Sequence, residues 1–215
     1  MFLSLYTSQK TESFGKDFPT RGVCISTNIP KHMTDTKEIL PGILAQAQSA
    51  DLDALRSFLT SNPSEPLVAT GSGGAESSAD FAALCYGARG GMSVAVSPYT
   101  LNSFSDQALS TGKILLVSKG GHNNDIVFAT KRAMEVNPSG TAAINFSDSD
   151  RNEARKVFLK AGSENCFVVP MKGVKDGFVS TGTSLSYFSI LTIHIFYIIT
   201  ISKFYTITFF INYIT

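Results

Sequence analysis

The chain has 215 residues, of which 43% are hydrophobic and 16% charged, and its 18 basic and 17 acidic side chains leave a net charge of +1. That length suits one generous domain with a real core, and the balanced charge supplies neither the basic surface of a nucleic-acid-binding protein nor an acidic tail. Cys24, Cys85 and Cys166 are odd in number and widely spaced without a CxxC pair, which argues against a disulfide framework or a zinc site and for a reducing, cytoplasmic compartment.

Residues 1–33 read as an irregular lead-in punctuated by Gly15, Pro19, Gly22 and Pro30, with "RGVCIST" as one strand-like run. The opening "MFLSLYTSQK" lacks the basic flank and apolar length of a signal peptide. From Thr34 the pattern turns helical. Thr34 or Asp35 caps "TKEILPGILAQAQS", with Ile39, Ile43, Leu44 and Ala47 on one face and Pro41 near the start. A second helix, "DLDALRSFLTS", lines up Leu52, Leu55, Phe58 and Leu59 and stops at Pro63.

Short apolar runs then alternate with helical stretches. The runs are "PLVAT", "MSVAV", "KILLV", "TAAINF" and "CFVVP", and each is apolar on both faces, as strands are when helices cover both sides of a parallel sheet. Between them "ESSADFAALCYGA", "LNSFSDQALS", "NNDIVFATKRAMEV" and "DRNEARKVFLKAG" serve as crossovers. The expected fold is α/β, a three-layer αβα sandwich around a five-stranded parallel sheet. Ligands of such sheets bind at the carboxyl ends of the strands, and small polar turns follow them here: "GSGGAESS", "SPYTLNS", "SKGGHNND" and "SDSD".

Several chemistries fail at these turns. The dinucleotide fingerprint fits Gly71, Ser72 and Gly73, but Glu76 stands where the third glycine belongs, and Ser97 and Pro98 stand where an acidic ribose partner should follow the second strand. No Gly-Lys-Ser/Thr follows the first turn, and no G-x-S-x-G elbow is present. A small phosphate ester fits better. Ser72 and Ser118 offer hydroxyls, Asn123 an amide, Gly73, Gly74, Gly120 and Gly121 backbone N–H groups, and Lys119 a charge, beside two helix N-termini.

"ATGSGGAESSADFAAL", "LLVSKGGHNNDIVFA" and "KDGFVSTGTSLSYF" together resemble the sugar isomerase (SIS) domain family over about residues 35–190. The resemblance implies a flavodoxin-like sandwich that binds phosphosugars, as in aldose–ketose isomerases, aminosugar-processing enzymes and sugar-sensing regulators. By position, Ser72, Ser118 and Asn123 match phosphate-binding residues, with Gly71 opening the first turn, and Ser180 and Thr181 match a turn near the sugar. Gly120 replaces a serine of the family pattern, and Lys119 stands where Gln or Arg is common. The resemblance also implies a partner domain, either a homodimer mate or a second SIS subdomain, and neither cofactor nor metal.

Catalysis by such a domain needs a base within reach of a sugar carbon. The charged residues near the turns are Glu76, His122 and Asp125; Glu76 and His122 are the candidate bases, and Asp125 reads as a helix cap. If active, the chain would be a sugar-phosphate isomerase or an aminosugar deaminase. The alternatives are a non-catalytic phosphosugar sensor and an inactive truncated fragment. His32 and His194 lack a partner pattern, and Cys85 reads as core.

Residues 34–190 are thus the expected domain, and residues 191–215 an apolar tail. From Thr192 onward the tail contains no Ala, Gly, Val, Leu, Pro, Asp or Glu. Residues 184–202 carry no formal charge and have the length to span a bilayer. The narrow residue set favours a frameshifted or truncated gene over a membrane anchor.

Overall fold

The computed structural model describes residues 35–169 and 181–195. The lead-in with its strand-like run, and the tail beyond residue 195, lie outside them. Two helices, α1 (Asp35–Ser49) and α2 (Asp53–Thr60), precede a regular alternation of strand and helix. Its strands are β1 (Leu67–Gly71), β2 (Ser93–Val96), β3 (Lys113–Ser118), β4 (Thr141–Asn145) and β5 (Cys166–Val168). The helices are α3 (Glu76–Gly87), α4 (Pro98–Asn102), α5 (Asp106–Ser110), α6 (Asn124–Val136), α7 (Glu153–Lys160) and α8 (Thr181–Ile195). All five strands pair in parallel, in the order β2-β1-β3-β4-β5.

Three layers follow from the side-chain alternation of the strands. Leu115 and Val117 of β3, with Ala142 and Ile144 of β4, join a core built with α1, α2, α3 and α8. Ile114 and Leu116, with Ala143, face the opposite way into a core with α4, α5, α6 and α7. Every residue of β3 and β4 is buried.

The edges depart from the expectation that all strands are covered on both faces. In β2 no residue is buried, Val94 is 46% exposed and the adjacent Met92 70% exposed. An edge strand has a neighbour on one side only, so an apolar run there does not imply burial. The crossover expected over 101–110 is also two helices. Ser97 accepts from the Thr100 N–H at 3.1 Å and Ser105 from the Ala108 N–H at 3.3 Å, so each serine starts its own short helix. Pro41 lies inside α1, further from its start than the sequence pattern suggests.

Helix α8 runs to Ile195, and Tyr187, Ile190 and Leu191 are fully buried against the first core. Its apolar character is thereby used in packing. Among the described residues no helix is long and apolar enough to cross a membrane. Cys85 is buried in α3, where desolvation pushes its thiol up to about 12, so it is held as a core side chain.

Leu115→Ala should destabilise the fold by about 2–5 kcal/mol, the usual cost of a core truncation. Val94→Thr should change it by less than about 0.5 kcal/mol, as exposed substitutions do. Urea unfolding of both variants checks the assignment of centre and edge.

Candidate functional site

The strand order places a reversal between β1 and β3, because the chain leaves β1 toward β2 on one side and β3 toward β4 on the other. Their helices, α3 and α6, pack on opposite faces of the sheet. A cleft of about 560 Å³ opens between the two turns that lead into those helices.

The first turn is shaped by its glycines. A Cβ on Gly71 would sit 2.3 Å from the Ala75 carbonyl oxygen, so only glycine lets the chain fold back into the 3-10 turn Gly73–Ala75. Gly73 takes φ +58°. Ser72, Gly73 and Gly74 line the cleft, whereas Gly71 is buried behind them. The Ser184 hydroxyl of α8 donates to the Gly74 carbonyl at 3.1 Å and holds the turn from outside.

The second turn closes on itself. The Ser118 hydroxyl oxygen accepts from the Gly121 N–H at 3.0 Å, which leaves its own proton for a guest. Asn123 is the N-cap of α6, yet its side chain makes no capping bond and lines the cleft. Lys119, Gly120, Gly121 and His122 line it as well. Asp125 is not the cap expected of it. It sits one residue inside α6, where one carboxylate oxygen accepts from Ile126 N–H at 2.8 Å and the other from the Ser72 hydroxyl at 2.5 Å. That bond ties the two turns together and commits the Ser72 proton.

A third loop, after β4, completes the wall with Phe146, Ser147, Ser149 and Arg151. The Phe146 ring stacks on Tyr187 with centroids 4.0 Å apart, and Tyr187 donates to the Ile144 carbonyl at 3.4 Å. Burial raises the Tyr187 phenol, which therefore stays a neutral donor. Asn152 braces the loop, and Ala154 ties the second turn to the segment that follows it. The Asn152 carboxamide accepts from Arg155 N–H at 2.9 Å and donates to the Ser147 carbonyl at 2.8 Å, while Ala154 N–H donates to the Gly121 carbonyl at 2.9 Å.

No carboxylate lines the cleft among the described residues; its ionisable side chains are Lys119, His122 and Arg151. Such a wall suits an anion. Glu76 opens α3 as an exposed residue outside the wall, whereas His122 is part of it. Ser180 lies outside the described residues, Thr181 is the first residue of α8, and Thr183, two positions on, lines the cleft. Sequence reasoning assigned no role to Phe146, Ser147, Ser149, Arg151 or Thr183. The position of the fourth turn at a strand's carboxyl end was the available signal.

No family model and no curated protein matches the sequence. Solved structures do match. Tagatose-6-phosphate ketose/aldose isomerase from Escherichia coli aligns over 79% of this chain and 50% of its own, at 22% identity and a TM-score of 0.54. The NanR protein of Vibrio vulnificus, complexed with ManNAc-6P, aligns over 79% of this chain and 62% of its own, at 10% identity and a TM-score of 0.59. A Methanococcus jannaschii protein, whose structure infers a molecular function of 3-hexulose-6-phosphate isomerase, covers 77% and 88%, at 16% identity and a TM-score of 0.54. The fold is the SIS fold. Its three-layer form and parallel sheet are those expected from the sequence.

A second, smaller cavity of about 260 Å³ lies at the opposite end of the sheet, beside Lys113. That lysine is committed: it donates to the Asn62 carbonyl at 3.1 Å and the Leu59 carbonyl at 3.4 Å. Burial pushes its ammonium down, and Glu65 at 3.9 Å opposes the shift.

The glycines of the cleft should differ in their tolerance. Gly73→Ala, with open space around the new Cβ, is expected to cost about 1 kcal/mol for its left-handed backbone. Gly121→Ala, at φ +63° with its Cβ driven into Asn152, is expected to cost about 2–3 kcal/mol. Denaturant midpoints at unchanged m-value measure the difference.

Proposed function

We propose that this chain binds a sugar phosphate or aminosugar phosphate, as part of an aldose–ketose isomerase or an aminosugar-processing enzyme of the cytoplasm. The observation that carries the reading is the pair of glycine-rich turns at the β1/β3 reversal, each running into a helix N-terminus, in a cleft with no carboxylate in its wall among the described residues. Backbone N–H groups and the positive ends of α3 and α6 converge there, as phosphate recognition requires. Three solved proteins of this fold support it, their names or complexes pointing to tagatose 6-phosphate, ManNAc-6P and 3-hexulose 6-phosphate.

Within the wall, His122 is the side chain best suited to take a proton from one sugar carbon and return it to the next. A carboxylate base would have to come from a second copy of the domain, in a dimer or in a longer chain. Exposed apolar side chains at the sheet edge, Met92 and Val94, and Leu84 on the neighbouring α3 suit such a partner. The absence of a carboxylate from the described wall also favours a second reading, a phosphosugar sensor that binds without turnover.

Thermal unfolding with a panel of hexose 6-phosphates and pentose 5-phosphates tests the proposal. A true ligand at 100 times its dissociation constant adds about 2.7 kcal/mol, and the unphosphorylated sugars should add nothing. Ser118→Ala should weaken the ligand about tenfold, the loss of one charge-assisted hydrogen bond. No stabilisation by any phosphate of the panel would reject the function. Interconversion of aldose and ketose forms that is lost in His122→Gln would reject the sensor.

A further inference from the structure

The loop after β4 reads Ser-Asp-Ser-Asp-Arg over residues 147–151, and by composition it is acidic. Its geometry reverses that impression. Ser147, Ser149 and Arg151 line the cleft, whereas Asp148 and Asp150 do not. Asp148 is paired with the Arg155 guanidinium, so its charge is met outside the wall. Among the described residues no carboxylate is paired with Arg151.

The serine pair leaves one hydroxyl proton to donate. Ser147 donates its hydroxyl to Ser149 Oγ at 2.9 Å and accepts from the Ser149 N–H at 3.3 Å, which leaves the Ser149 proton free to donate. Asn152, 1% exposed, holds the loop by its bond to the Ser147 carbonyl, so these groups sit on a braced frame. With parallel strands about 4.8 Å apart, the loop lies roughly 5 Å beyond the β3 turn and 10 Å beyond the β1 turn. The phosphate cradle has its own donors at Gly73, Gly74, Ser118 and Asn123. Arg151 therefore lines the side of the cleft beyond the β3 turn, away from the β1 turn.

We infer that Arg151 and Ser149 form a second anion subsite, so that the preferred ligand is a sugar phosphate bearing a carboxylate away from its phosphate. The inference rests on the phosphosugar reading of the same cleft. A guanidinium offers a planar fork that matches a carboxylate with two parallel hydrogen bonds, and the serine hydroxyl adds a third.

Two probes of equal carbon number test this by calorimetric titration: 6-phosphogluconate, with a carboxylate at C1, and glucitol 6-phosphate, with a hydroxymethyl there. The intact wild-type protein should bind 6-phosphogluconate at least tenfold more tightly. Arg151→Gln should collapse that ratio to within twofold of one, and Arg151→Lys should recover part of it. Equal wild-type affinities overturn the subsite while leaving the phosphosugar reading intact, as does a ratio that survives in Arg151→Gln because both probes weaken together. Binding of neither probe by the wild type overturns the subsite, and the hexose and pentose phosphate panel then decides the phosphosugar reading.

Discussion

The site depends on one topological constraint. Strands β1 and β3 are neighbours in the sheet, yet the helices that follow them pack on opposite faces. Right-handed crossovers force this wherever the chain winds outward from the middle of a parallel sheet in both directions. No connection can cross the gap between the two carboxyl ends, so a cleft remains there, with two helix N-termini turned toward it. Nothing about the ligand is needed to explain the opening. What the sequence adds is the chemistry of its rim.

That rim is made rigid by bonds between loops distant in sequence. Asp125 accepts a hydrogen bond from the Ser72 hydroxyl across 53 residues, and the Ala154 N–H holds the Gly121 carbonyl from the far side. Donors fixed in advance lose little freedom when an anion arrives, so more of the interaction appears as affinity. The same bonds remove one expected donor. Ser72 donates to Asp125, so in the proposed site the first turn acts through the N–H groups of Gly73 and Gly74.

The five strands and the order of the helices were legible because their signals are local: apolar runs of strand length, glycine turns and helical periodicity. Both glycine-rich turns of the cleft were legible for the same reason, as Gly71, Ser72, Ser118 and Asn123 stand in short contiguous motifs. The remainder depends on tertiary contacts. Nothing in "MSVAV" marks it as an edge strand, since exposure depends on whether another strand pairs beyond it. Nothing in "SDSDR" marks which of its side chains line the cleft, since that is decided by Arg155 in the following helix and by Asn152, its N-cap. Thr183 enters the wall because Tyr187, Ile190 and Leu191 fix α8 in the core.

An anion cradle at the β1/β3 reversal is the central claim, and backbone amide chemical shifts test it most directly. Titration of the isotopically labelled protein with a hexose 6-phosphate should shift the amide resonances of Gly73, Gly74, Gly120, Gly121 and Asn123 first and most, saturably, with the parent hexose causing no such change. Shifts confined to the opposite end of the sheet, around Lys113, or no saturable shift in either turn, would contradict it.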